Sequence, residues 1–208
     1  MNKWLKDYWY DLASGYADDA IVDSFWKAIE TKYNTKKRHY HNLTHLYNMF
    51  LQLEDLKTAI EDLNSLKFAI WYHDVIYKST KKDNEVQSAF FAEKALKILK
   101  YDAFKIEKVK NNIISTKSHE LISTENTDNA YLLDLDLSIL GTDWNTYSQY
   151  IQNIRKEYNI YPDFLYQPGR KKVLKHFLER DTLYFTERFR AQFEEQAREN
   201  LQKEIKLL

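Results

Sequence analysis

Only three glycines and two prolines occur in 208 residues, and that scarcity of turn-formers limits the chain to long helices with few tight turns. Apolar residues recur with helical spacing almost throughout. Trp4, Leu5, Tyr8, Trp9 and Leu12 fall on one stripe that stops near Gly15. Asp18 or Asp19 can cap a second helix bearing Ile21, Val22, Phe25, Trp26, Ile29 and Tyr33. Residues 32–40 are polar and basic and read as a connection. Asn42 can cap a third helix, with Leu43, Leu46, Tyr47, Phe50 and Leu53 inward. Further helices are expected over about 62–75, 84–99, 104–118, 143–158 and 168–181, and from about 186 onward. Residues 78–83, 123–129 and the stretch between Pro162 and Pro168 read as loops.

One segment is ambiguous. Leu133-Asp134-Leu135-Asp136-Leu137 alternates like a strand, but no second convincing strand exists to pair with it. It is therefore assigned to a helix over about 131–140, ended by Gly141. The expectation is an all-α fold, a single bundle of roughly eight to ten helices over residues 1–208. Its core is placed at about 36–141, packed by the N- and C-terminal helices.

Composition removes several function classes. Lys+Arg and Asp+Glu both number 31, so the chain has no global attraction for nucleic acid or an anionic membrane. The run Lys36-Lys37-Arg38 is too short to bind nucleic acid alone. Without cysteine there are no disulfides or thiolate zinc sites, which fits a reducing cytoplasm. No apolar run approaches the ~20 residues of a membrane span, and the first ten residues do not read as a signal peptide. A cytoplasmic protein without membrane or nucleic-acid partners is expected, with a homo-oligomer left open.

Against this background His73-Asp74 stands out, at the end of the apolar run Ala69-Ile70-Trp71-Tyr72. An unpaired buried charge costs several kcal/mol or more, so such groups are paired or bind metal. Imidazole and carboxylate are both ligands for divalent first-row ions. The chain has five other histidines: His39, His41, His45, His119 and His176. With the cap at Asn42, His45 lies inside the first helical turn and His41 just outside. His45 is then the better-held ligand, and His41 the better contact for substrate or for a ligand. Taken alone, the two also read as a solvent-facing pair beside a basic loop. Asp134 and Asp136 point about 200° apart on a helix, so at most one faces a given site. The other must cap, pair with a cation or meet solvent.

In order along the chain, His45, His73-Asp74 and Asp136 resemble the H…HD…D pattern of the HD superfamily of metal-dependent phosphohydrolases. Flanking residues sharpen the likeness: Arg38-His39-Tyr40-His41-Asn42-Leu43-Thr44-His45, His73-Asp74-Val75-Ile76-Tyr77, Asp83-Asn84-Glu85, Asp134-Leu135-Asp136-Leu137-Ser138-Ile139-Leu140-Gly141 and Gly169-Arg170. Together they are similar to a bacterial subfamily described as predicted metal-dependent HD phosphohydrolases, over most of the chain from Trp4 to Glu204. The resemblance implies an all-helical domain holding one divalent ion (Mn, Mg, Ni, Co, Fe or Zn) through His45, His73, Asp74 and Asp136. In members with Asp-x-Asp here, the second Asp is usually the ligand. It also implies hydrolysis of a small phosphate ester, a nucleotide among the candidates, by metal-activated water.

Such chemistry needs a proton donor and cationic groups for the phosphate. His119, before a polar loop, fits a general acid or a second-ion ligand, and equally a helix-end histidine favoured by the dipole. Glu85 fits a water-orienting group or an ordinary first-turn carboxylate. Arg170 follows Pro168-Gly169 at an expected helix start, where free N–H groups favour anions. Arg38 fits a partner for substrate or for a ligand carboxylate. Arg180 and Tyr184 are weaker candidates, and His39 and His176 read as structural or surface residues. Two rival readings remain. One is a dinuclear iron HD oxygenase, which usually needs two histidines between the His-Asp pair and the last Asp, where only His119 lies. The other is a non-catalytic, metal-stabilised binding domain that uses the aromatic stripes of its first two helices as an interface.

Overall fold

Side chains with one short polar arm set most of the helix starts. In the computed structural model, which describes residues 1–122 and 127–208, Asp18 accepts from the Ile21 N–H and Asn42 from Thr44. Asp62 accepts from Ser65, Asp102 from Lys105, Asp143 from Asn145 and Thr146, and Thr186 from Phe189. Each such cap satisfies a donor the helix cannot, for about 1 kcal/mol.

Among the described residues the chain is all-helical, with ten α-helices and no strand. They are α1 (Asn2–Ala13), α2 (Asp19–Tyr33), α3 (Leu43–Glu54), α4 (Leu63–Tyr72), α5 (Asn84–Ile98), α6 (Ala103–Ser115), α7 (Thr127–Leu137), α8 (Trp144–Glu157), α9 (Asp163–Leu178) and α10 (Glu187–Leu207). Short 3-10 turns cover Lys57–Ala59 and Ser138–Gly141. No helix among the described residues is long and apolar enough to cross a membrane. The chain divides into two compact units, residues 1–132 and 133–208, and the division falls inside α7.

In the first unit α4 is apolar nearly all round and buries Leu66, Phe68, Ala69, Ile70, Trp71 and Tyr72. A helix of that kind belongs at the centre of a core, and α3, α5 and α6 pack against it. Trp71 is the hub. Its ring meets Trp9 and Trp26 edge-on at 5.7 and 6.1 Å and Phe50 at 4.6 Å. In the second unit α8, α9 and the turn at Ser138–Gly141 pack against α10. Asn200 of α10 donates to the carbonyls of Leu140 and Thr142, both at 2.8 Å.

The structure corrects two expectations. Helix α9 starts at Asp163, so the residues between Pro162 and Pro168 are helical and not a loop. Pro162 stands at the N-cap, where its missing N–H costs nothing, and Pro168 lies inside the helix near its start, sacrificing one bond. Helix α7 already includes residues 127–129, whose polarity alone predicts a loop. Asp128 and Asn129 are fully buried anchors. Asp128 accepts from the N–H groups of Glu61 and Asp62 and from Lys108, and Asn129 from the Ile122 N–H. The remainder of that expected loop, 123–126, lies outside the described residues.

Two glycines should respond in opposite ways to alanine. A Cβ on Gly141 would stand 2.5–2.9 Å from the Cβ, O and Cα of Phe193, two of them backbone atoms. Gly141→Ala should therefore cost about 1–3 kcal/mol as overpacking. Gly169 sits within α9 with nothing near a new Cβ, so Gly169→Ala should stabilise by about 0.5–1 kcal/mol. Denaturant melts of the two variants check both signs.

Candidate metal centre

A helix leaves its last four carbonyls without helical partners, and at the end of α4 those carbonyls are buried. Each finds its own donor. Ala69 O accepts from the His73 N–H at 2.9 Å and Tyr72 O from the Val75 N–H at 3.1 Å. Ile70 O accepts from the His73 ring at Nδ1, 2.8 Å away, and Trp71 O from the Tyr33 hydroxyl at 3.2 Å. The segment beyond the helix is tied just as closely. The Asp74 N–H donates to the Tyr33 oxygen at 3.3 Å. The carbonyls of Asp74 and Val75 take Arg38 Nη1 and Nη2 at 2.6 and 3.1 Å. Ser88 Oγ bonds both the N–H and the carbonyl of Ile76, and Asn84 does the same for Lys78.

This end-capping fixes the chemistry of His73. With Nδ1–H donated to Ile70 O, the neutral ring keeps its lone pair on Nε2. That nitrogen lies 3.2 Å from Nε2 of His45, in the first turn of α3, and 3.3 Å from Oδ2 of Asp74. Both histidines are buried, at 4% and 1% exposure. Two donors each about 2.0–2.1 Å from one ion, with the usual angle between them, stand about 2.9–3.4 Å apart. The His45–His73 and His73–Asp74 pairs each have that spacing, so the residues present fit a divalent ion.

The carboxylates of α7 divide their roles as the 200° separation requires. Asp134 is fully buried and accepts from the Phe185 N–H, the Thr186 N–H and the Thr186 hydroxyl at 2.7–2.8 Å. Burial pushes its carboxyl up to about 6, while those donors and Arg190 pull it down. Asp134 therefore serves the start of α10. Asp136 is half-buried on the other side of the same unbroken helix, whose first six residues belong to the first unit. His45, His73 and Asp136 each offer one ligand atom, all within 4.8 Å of one another, a group that could hold a metal ion. Asp74 is not one of those three; its Oδ2 lies 3.3 Å from His73 Nε2.

The other candidates fall in different places. His41 precedes α3, half-buried, stacked on Tyr77 at 4.1 Å and 6.2 Å from the His45 ring. Arg38 is buried and donates to three main-chain carbonyls, those of His41, Asp74 and Val75. Glu85 is in the first turn of α5 and His119 follows α6 with φ 49°; neither belongs to the three-residue group. Arg170 is not at a helix start. It lies in the second turn of α9, and Nε and Nη2 grip both oxygens of Glu204 at 2.7 and 3.1 Å. Tyr147 donates to that same carboxylate. Tyr184 is buried with its hydroxyl on Leu137 O, Arg180 lies over the Phe177 ring, and His39 and His176 are exposed.

Three tyrosines have no role in the sequence reading: Tyr40 and Tyr77, which pack on the histidines, and Tyr33, which bonds Trp71 O and the Asp74 N–H. Tyr33 looked like one more apolar position of α2. Its signal was the polar tip of a buried tyrosine, which needs a partner. Compared with protein-family models, with curated proteins and with solved structures, the chain gives no significant match.

The two α7 carboxylates should separate cleanly by mutation. Asp134→Ala strands three donors and should cost about 3 kcal/mol in denaturant unfolding. Asp136→Ala, measured in chelator, should stay within about 1 kcal/mol of the parent while weakening divalent-metal binding by calorimetry.

Proposed function

We propose that the chain is a metal-dependent phosphohydrolase of the HD type, acting on a small phosphate ester, with nucleotides among the candidate substrates. The observation that carries this reading is the buried pair of imidazole Nε2 atoms 3.2 Å apart, with two carboxylates beside them. In it, His45, His73, Asp74 and Asp136 hold one divalent cation. When bound, such an ion polarises a phosphoryl oxygen and lowers the pKa of water.

The chain's own groups do the rest. The Nδ1–H bond to Ile70 O holds His73 in the ligating tautomer. The Asp74 and Asp136 carboxylates balance the cation's charge. The Tyr40 ring packs on His45 at 5.0 Å, and Tyr77 stacks on His41 beside it. In this reading His41, half-buried beside His45, holds a proton for the leaving group, with His119 and Glu85 as further candidates for proton transfer. Arg170 is already committed to Glu204 and drops behind them as a phosphate ligand. The absence of cysteine fits a reducing cytoplasm as the place of action.

The test is phosphate release from a panel of nucleotides and phosphomonoesters, with chelated protein reloaded with Mn, Mg, Ni, Co, Fe or Zn. At least one metal should support turnover. His73→Ala should lose bound metal and at least about 100-fold in rate. No release from loaded protein, with metal content unchanged in His73→Ala, overturns the reading. Two irons per chain would point instead to the oxygenase, and a metal-dependent melting shift without turnover to a binding domain.

A further inference from the structure

We propose that Arg38 is a positioning residue of this centre, a clamp that sets the spacing of the ligands without touching substrate. The inference rests on the metal-centre reading above and deepens it. Arg38 lies in the connection between α2 and α3 and is 9% exposed. Its guanidinium lies over two rings, with Cζ 4.8 Å from the centroid of Tyr33 and 5.6 Å from that of Tyr77.

The acceptors it chooses matter most. Nη1 donates to His41 O at 3.1 Å and to Asp74 O at 2.6 Å, and Nη2 to Val75 O at 3.1 Å. His41 O belongs to the turn that leads through Asn42 into α3 and so to His45. Asp74 O belongs to a ligand residue one step from His73. A single planar group thus spans two backbone segments that are 33 residues or more apart in sequence and that supply the facing ligands. Contact with both rings helps to hold it in place. Tyr33 reinforces the same joint, because its ring supports the guanidinium while its hydroxyl accepts from the Asp74 N–H.

The remaining donor geometry argues against a phosphate-binding role. Three of the five N–H donors, two on Nη1 and one on Nη2, go to main-chain carbonyls, and Nε is buried without a hydrogen-bond partner among the described residues. A substrate oxygen has no solvent route to that Nε–H. Lysine cannot replace the fork: it is a point charge on a flexible stem and has no second nitrogen for the second carbonyl direction. A carbonyl clamp behind ligand residues is also the kind of outer support whose loss typically weakens metal affinity 10–100-fold.

The experiment is a Co(II) titration of full-length, chelated protein followed by visible absorption, on the parent, Arg38→Lys and Arg38→Met. The expected result is at least about a tenfold rise in Co(II) Kd in both variants. The Co(II) band should also shift, since loosened ligands change the field at the ion. In turnover assays kcat should fall while KM stays within twofold. If either arginine variant fails to fold by circular dichroism, Tyr33→Phe carries the test, with a Kd rise and band shift in the same sense. Parent-like Kd and spectrum in a folded Arg38→Lys overturn the clamp and leave the metal centre standing. A rise in KM with unchanged Co(II) binding also overturns it, because Arg38 would then be a substrate group. If the parent itself binds no Co(II), the metal-centre reading fails and the clamp falls with it.

Discussion

The hydrogen bond from the His73 ring to Ile70 O is the contact on which the rest of the centre depends. A buried helix end needs a donor there, since an orphaned carbonyl costs about 1–3 kcal/mol. Supplying the donor from an imidazole satisfies the helix and fixes the face that the ring turns to His45. Folding stability and the orientation of the His73 ring are therefore secured by one bond. The same economy recurs at Tyr33, whose hydroxyl serves Trp71 O and the Asp74 N–H while its ring supports Arg38.

Aromatic residues do similar double duty across the chain. Trp9 fills the first unit's core and donates to Val22 O at 3.0 Å. In the second unit Tyr184 is buried and donates to Leu137 O, and Tyr147 donates to Glu204. Each bond is worth only about 1 kcal/mol net. Against a total stability of about 5–15 kcal/mol, a handful of them decides which packing is unique. The bulky apolar parts drive burial, and the polar tips select the register of one helix against its neighbour.

Much of this was legible in the sequence because it depends on local rules. Helical period and side-chain caps located α1 to α6, α8 and α10, and the cap at Asn42 placed His45 inside α3 and His41 outside it. The 200° argument anticipated that Asp134 and Asp136 would part company, and the partners of Asp134 settle where that one goes. What failed had long-range causes. Asp128 and Asn129 looked like loop residues because polarity on its own does not reveal buried partners on distant segments. Pro168 looked like a helix opener because its cost inside α9 is met by packing that sequence does not display. Arg170 was misplaced as a consequence, and its true partner, Glu204, lies 34 residues away.

The contact of Gly141 with Phe193 has an evolutionary implication. Most core clashes can be relieved by trimming the neighbour, so two positions drift together through compensating changes. Here two of the three obstructing atoms are the carbonyl oxygen and Cα of residue 193, which every amino acid possesses. No exchange at 193 opens room at 141. In lineages that keep this packing, position 141 should stay glycine while 193 varies, a one-sided dependence that a search for covarying pairs would overlook.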